Sequence, residues 1–194
     1  IDTEVHLAVA DVTGKGMPAC LFMVSLLANI RAQAAAGVDP AALMFGLNRT
    51  LLATMTPGMF ITMFWVSLDV TTGVIRYSNG GHNPALLLRA SGEAEWLSEG
   101  GTILGMLANM KYECGETRLD PGYRLILYSD GVTEAKNGGG DLFEEEGLSE
   151  LCRARCAAAP LDPTALIQEI LAGVRAHEGG VPPGDDKTLL VASR

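Results

Sequence analysis

Between Met59 and Ser129 the chain reads as strand after strand with no helix between them, and this order limits the fold more than any other feature. "MFITMFWVSLDV" is rich in β-branched and aromatic residues, "TTG" turns it, and "VIRYSN" alternates as a return strand. "GGHNP" is a loop, and "ALLLRA", "SGE" and "AEWL" make a hairpin. After a Gly-rich connection, "KYECGETRL" and "YRLILYS" read as a further antiparallel pair around Asp120-Pro121-Gly122. Successive hairpins build antiparallel sheets, whereas a doubly wound sheet needs a helix between successive strands.

Helices flank this block. His6 to Val12 reads as a strand running into Asp11. Pro18 suits the first turn of a helix, which continues through "LFMVSLLANIRAQAAA" to Gly37 as a C′ residue. Asp39-Pro40 reads as N-cap and first helical residue of a second helix through "AALMFGLNRTLLATM", broken by Pro57-Gly58. Two more helices are expected, from about Leu142 to Ala159 and from about Pro163 to His177, then a loop, "GGVPPGDD", and a strand, "KTLLVAS". The expected class is α+β, without internal repeat, low-complexity tract or linker, and 194 residues suit one domain with a real core.

Fourteen Lys and Arg against 23 Asp and Glu give a formal charge of -9 with no basic cluster, which argues against nucleic acid or an anionic membrane as partner. No apolar run reaches the roughly 18 uninterrupted residues of a membrane span, and the N-terminus lacks the basic start and cleavage site of a signal peptide. The expected location is the cytoplasm. Cys20, Cys114, Cys152 and Cys156 have no paired Cys/His spacing, so they are read as small buried hydrophobes in a reducing compartment rather than zinc ligands.

Three places share one arrangement: an aspartate at the end of an apolar strand, at or beside a glycine. They are Val9-Ala10-Asp11-Val12, Leu127-Tyr128-Ser129-Asp130-Gly131, and Gly184-Asp185-Asp186 before Lys187-Thr188-Leu189-Leu190. A strand end holds a carboxylate rigidly, and glycine lets a cation or its water approach the backbone. Converging carboxylates repel unless a cation lies between them or one is protonated. Oxygen donors without His or Cys point to Mg²⁺ or Mn²⁺. Singly, Asp-Gly is a common turn, and Asp185-Asp186 could be a solvated loop or a strand cap. Gly14-Lys15-Gly16 does not meet the Walker spacing, which places Lys and then Ser or Thr after the second glycine. His82 in "NGGHNP" is either an acid/base or, more often in such a turn, a loop hydrogen-bonder; His6 and His177 show no partner in the sequence.

"ADVTGKGMPACLFM", "PGMFITMFWVSLD", "YSNGGHNPALLLR", "LILYSDGVTEAKN" and "GDDKTLLVA", in this order, closely resemble the metal-dependent protein serine/threonine phosphatases. This is the PPM family with the protein phosphatase 2C fold, and the likeness is to its bacterial branch typified by SpoIIE and RsbU. The resemblance spans nearly the whole chain. It implies an α/β/β/α sandwich of two antiparallel sheets flanked by helices, with two Mn²⁺ or Mg²⁺ ions at one edge. It implies Asp11 as a bridge between the ions, the Val12 backbone carbonyl as a ligand of one, and Asp130 with Asp185 as ligands of the other. Asp185 is preferred to Asp186 because the family's ligand is the first of its acidic pair. Gly14, Gly16 and Gly131 would shape the loops, with Lys15 a loop residue. Water activated by the metals would attack the phosphorus of phosphoserine or phosphothreonine, with no protein nucleophile.

Two departures from the family pattern carry expectations. Thr13 stands where the plant and animal branch has a histidine, so protonation of the leaving group would fall to water on a metal. The family's earlier acidic motif, Gly-Gly-Asp-x-Tyr-Asp, has no room before Asp11, and Asp2 and Glu4 sit where an intervening hairpin belongs. The resemblance therefore implies a single phosphatase domain over residues 1–194, N-terminally incomplete, with one metal site weakened and low activity. Expected partners are a phosphorylated anti-sigma-factor antagonist of the STAS type as substrate and an upstream sensory or receiver domain, with the helix pair from Pro18 to Met55 as the regulatory surface. The alternatives are a phosphatase-like binding or regulatory module without catalysis, and an unrelated metal phosphoesterase acting on a small molecule.

Overall fold

The computed structural model describes residues 3–34, 37–56, 58–158 and 162–194. In chain order the elements are β1 (Glu4–Val12), α1 (Met17–Gln33), α2 (Pro40–Thr54), β2 (Ile61–Asp69), β3 (Val74–Gly80), β4 (Ala85–Leu88), β5 (Ala94–Leu97), β6 (Gly100–Gly101), β7 (Gly115–Arg118), β8 (Arg124–Tyr128), α3 (Asp130–Thr133), α4 (Glu144–Ala158), α5 (Pro163–Glu178) and β9 (Leu189–Ser193). They fall into two compact units, Ile1–His82 with Ser98–Arg118, and Asn83–Leu97 with Leu119–Arg194.

The first unit holds a sheet in the order β1-β2-β3-β6, with β7 also on β3. β1, β2 and β3 pair antiparallel, as does β7 with β3. The exception is the two-residue β3–β6 contact, which is parallel; a Cβ on Gly100 would collide with the Asn79 backbone, so glycine permits this approach. Ile61, Met63 and Trp65 of β2 face a core with Leu26 of α1 and Leu43, Met44, Leu47 and Leu51 of α2. The i, i+3, i+4 spacing on α2 explains why that helix lies on the sheet. Asp39 caps α2 by accepting from the Ala42 N–H at 2.9 Å, and Pro40 opens it. Asn48, fully buried on α2, accepts from the Gly105 N–H (2.8 Å) and donates to the Leu107 carbonyl (2.9 Å), tying the following loop to the helix.

The second unit holds the antiparallel sheet β5-β4-β8-β9. Leu86, Leu88, Ile126 and Tyr128 meet Leu148 and Cys152 of α4 and Leu166, Ile170 and Val174 of α5 in one core. Asp162 caps α5 through the Ala165 N–H, Pro163 opens it, and Gly179 closes it in the left-handed conformation at φ 58°.

Several expectations change. β7 and β8 do not pair: β7 adds to β3 and β8 lies between β4 and β9. The Asp120-Pro121-Gly122 turn does form, with Tyr123 N–H on the Asp120 carbonyl at 2.9 Å. A local turn does not decide pairing when each strand has a longer partner edge elsewhere. α1 ends at Gln33 with Ala34 as an extended cap, short of Gly37, and α2 ends at Thr54; Asp2, Pro57 and Ala159 lie outside the described residues. Only Cys152 is a fully buried cysteine; Cys20 and Cys114 are exposed, on the outer side of α1 and in the connection before β7. No helix among the described residues is long and apolar enough to cross a membrane.

Candidate metal centre

In the first unit Asp11 is the penultimate residue of β1, opposite Thr62 of β2. Strand alternation sends the neighbouring Val12 side chain into the core, at 6 % exposure, and leaves Asp11 exposed on the other face. The chain leaves the strand at Thr13, whose N–H donates to the Phe60 carbonyl at 3.1 Å. The Thr13 hydroxyl donates to the same carbonyl at 3.1 Å and accepts from the Phe60 N–H at 2.9 Å. Gly14 (φ 93°) and Gly16 (φ 79°) then turn back through the left-handed region, and Gly16 caps α1.

In the second unit Asp130 opens α3 directly after β8, and Asp185 and Asp186 precede β9. β8 and β9 are antiparallel neighbours, with Tyr128 opposite Leu189. Ser129 extends the pairing: its N–H donates to the Thr188 carbonyl (3.1 Å), its hydroxyl donates to the Asp186 carbonyl (3.2 Å) and accepts from the Thr188 N–H (2.9 Å). A Cβ on Gly131 would lie 3.0 Å from the Asp186 carbonyl carbon and closer still to its oxygen, so only glycine lets the two loops approach. Asp130 and the Asp185-Asp186 pair are thus brought to one end of the β8–β9 ladder. Asp185 accepts from the Asp186 N–H at 2.9 Å. It lines a cleft of about 230 Å³ with Gly131, Glu134, Lys136 and Gly184, which Asp186 does not line. Lys187 points to Glu178 of α5, forming a 2.7 Å ion pair with side chains 13 % and 7 % exposed.

Among the described residues no group of three or more His, Cys, Asp or Glu side chains is gathered into a ready cage. What the second unit offers is an open set of hard oxygen donors on rigid backbone, a donor chemistry that fits Mg²⁺ or Mn²⁺, which keep several waters and take few protein carboxylates.

His82 is nine-tenths buried and occupied by the loop: Nδ1 meets the Thr62 hydroxyl at 2.8 Å, its N–H donates to Asn79 Oδ1 at 2.7 Å, and its carbonyl accepts from Asn79 Nδ2 at 2.9 Å. His6 bonds Ser67 at 3.1 Å beside the Trp65 ring, and His177 meets the Asp141 carbonyl at 3.1 Å beside Phe143. Sequence reasoning missed the backbone-directed hydroxyls of Thr13 and Ser129 and the Lys187–Glu178 pair. The available signal was a hydroxyl residue directly before, or two places after, a strand-end aspartate.

The fold is that of the PP2C phosphatases. The SpoIIE PP2C phosphatase domain structure from Bacillus subtilis superposes over 97 % of this chain with a TM-score of 0.78 at 18 % identity, covering 52 % of that chain. The sequence model of the SpoIIE family, Stage II sporulation protein E, matches residues 1–194, and the chain belongs to that family. It is 28 % identical over 192 residues to the phosphoserine phosphatase RsbU of Bacillus subtilis, covering 98 % of this chain and 56 % of RsbU. The structure of the RsbU and RsbW domains of Rv1364c from Mycobacterium tuberculosis aligns over 98 % of this chain and 52 % of that one, at 26 % identity and a TM-score of 0.78. The chain therefore spans about half the length of these relatives.

Proposed function

We propose that this domain hydrolyses phosphoserine or phosphothreonine on a protein substrate with the help of divalent cations. The observation that carries the proposal is the seating of Asp130 and Asp185 at one end of two adjacent strands through the glycine-only approach of Gly131 to Asp186. Membership of the SpoIIE family and likeness to a phosphoserine phosphatase support the same reading. Asp11, the Val12 carbonyl, Asp130 and Asp185 are the residues that would hold Mn²⁺ or Mg²⁺. Cations there supply an activated water and neutralise charge on the phosphoryl oxygens.

The chain's own part is positional. Strand ends and glycine turns hold the carboxylates at rigid positions, with Asp11 and Asp185 exposed to solvent. Protonation of the leaving group would fall to water on a metal rather than to Thr13, whose hydroxyl is engaged with the Phe60 carbonyl. The proposed substrate is a phosphorylated STAS-type anti-sigma-factor antagonist, under control of a sensory or receiver domain elsewhere in the full protein. The surface suited to that control is α1, where Met17, Leu21, Val24 and Leu27 are apolar and exposed.

Phosphate release from a phosphoserine peptide should require Mn²⁺, stop on chelation, and be lost in Asp130→Asn. Turnover that survives either treatment overturns the proposal; binding of the phosphopeptide without turnover would instead favour a non-catalytic module.

A further inference from the structure

Two hydroxyl side chains make the same arrangement of bonds at the two loops that carry the aspartates. Thr13 gives its N–H and its hydroxyl to the Phe60 carbonyl and receives the Phe60 N–H. Ser129 gives its N–H to the Thr188 carbonyl and its hydroxyl to the Asp186 carbonyl, and receives the Thr188 N–H. Each hydroxyl bridges a donor and an acceptor of a backbone segment distant in sequence, 47 positions away for Thr13 and 57 for Ser129 and Asp186.

Neither hydroxyl is needed to continue a strand, since the strand ladders end at Val12 and Tyr128 and the backbone N–H of Thr13 or Ser129 already makes the next bond across. Each acts at the first residue beyond. Past Thr13 the chain runs into Gly14 and Gly16, whose freedom would otherwise let the turn wander. Past Ser129 come Asp130 and Gly131. The Ser129 hydroxyl also holds Asp186, and Asp185 follows because it shares a peptide bond with Asp186 and accepts from its N–H.

We infer that Thr13 and Ser129 are positioning residues, which hold Asp11 with Val12 and Asp130 with Asp185 in place before a divalent cation arrives. This rests on the metal-dependent reading above. A site ordered in advance gains affinity because binding does not have to order the loop, and outer partners of metal ligands typically change affinity 10–100-fold when removed. Both hydroxyls are neutral, so they order the carboxylates without competing with the cation for them.

The test is a calorimetric titration with Mn²⁺, paired with unfolding of the metal-free proteins in chelator. Thr13→Val keeps the shape and loses both hydroxyl bonds; Ser129→Ala removes one oxygen; Thr13→Ser restores the hydroxyl. Mn²⁺ affinity should fall about tenfold or more in Thr13→Val and Ser129→Ala and stay within about threefold of wild type in Thr13→Ser. A purely structural role would lower metal-free stability and leave the Mn²⁺ affinity alone, and that result overturns the inference. Ser129→Ala gives an independent answer should Thr13→Val fold poorly. Wild-type protein that binds no Mn²⁺ overturns the phosphatase reading and this one together, whereas wild-type binding matched by both variants overturns this one alone.

Discussion

Replacing Gly131 by alanine should damage the domain although alanine is the better residue for the local backbone. Gly131 lies in α3 and is not among the glycines with positive φ, so alanine can adopt its conformation. On helix propensity alone the change should stabilise by about 0.5–1 kcal/mol. The obstacle is tertiary. The new Cβ would lie 3.0 Å from the Asp186 carbonyl carbon and 3.4 Å from that of Asp185, against a comfortable separation of about 3.5–4 Å. The Asp186 carbonyl oxygen is closer still, and these backbone atoms cannot rotate aside, so the Asp185-Asp186 loop must move by roughly 1 Å or more. Overpacking of this kind costs about 1–3 kcal/mol, which after the propensity gain leaves a net loss of up to about 2.5 kcal/mol. For a chain of this size that is a fall in Tm of up to roughly 10 °C. The same shift displaces Asp185, and misplacement by about 1 Å can cost on the order of 100-fold in rate. Gly184→Ala is the control: it is equally near Asp185 and free of positive φ, but its Cβ would meet nothing within 4 Å. Paired thermal unfolding and Mn²⁺-dependent hydrolysis of p-nitrophenyl phosphate read both effects. Wild-type stability and rate in Gly131→Ala, or equal damage from Gly184→Ala, would refute the reasoning.

Two further outcomes are expected. Lys187→Met should cost about 3–5 kcal/mol by stranding Glu178, a buried partner in a 2.7 Å pair; adding Glu178→Met should return part of that loss in a double-mutant cycle of chemical denaturation. Burial, with a smaller contribution from Cys156, raises the Cys152 thiol from 9.0 to about 12. Its folded pKa lies above the unfolded value, so the stability it contributes is whole below pH 9 and is lost as pH rises toward 12; at 1.36 kcal/mol per unit this is at most about 4 kcal/mol. Denaturation curves at pH 8 and pH 11 should therefore converge in Cys152→Ala relative to wild type.

What could be read from residue order was what local chemistry decides. The Asp39-Pro40 cap, the alternation in "VIRYSN" and the turn at Asp120-Pro121-Gly122 each depend on a few neighbouring residues, and each is found. Partner choice was not legible, because β7 adds to β3 on an edge forty residues upstream in register, and nothing in "GETR" names that edge. The candidate site divides in the same way. Aspartate at a strand end beside glycine is a local signal. The reason for Gly131 is not, because Asp-Gly occurs in any turn and the demand for glycine here comes from Asp186, far along the chain. Thr13 and Ser129 were hidden for a related reason: a hydroxyl beside a turn commonly bonds its own segment, and these bond the opposite one.

The distribution of charge around the aspartates follows from what a cation site must avoid. A carboxylate can be steadied by a lysine or arginine, but the same cation then occupies the place a metal would take and must be displaced at the cost of an ion pair. Lys187, one residue beyond Asp186, is near enough in the chain to do this harm. It is instead held by Glu178 on α5, in a pair far less exposed than the loop it leaves. Neutral partners hold the loops: the hydroxyls of Thr13 and Ser129, the Asp186 N–H on Asp185, and the bare Cα of Gly131. Lys187 therefore serves the loop by being sequestered. Freeing its ammonium through Glu178→Gln should weaken Mn²⁺ binding more at low salt than at high salt, since a flexible surface cation is screened while a lost packing contact is not. A salt-independent loss would mean that Glu178 acts on the loop through shape alone.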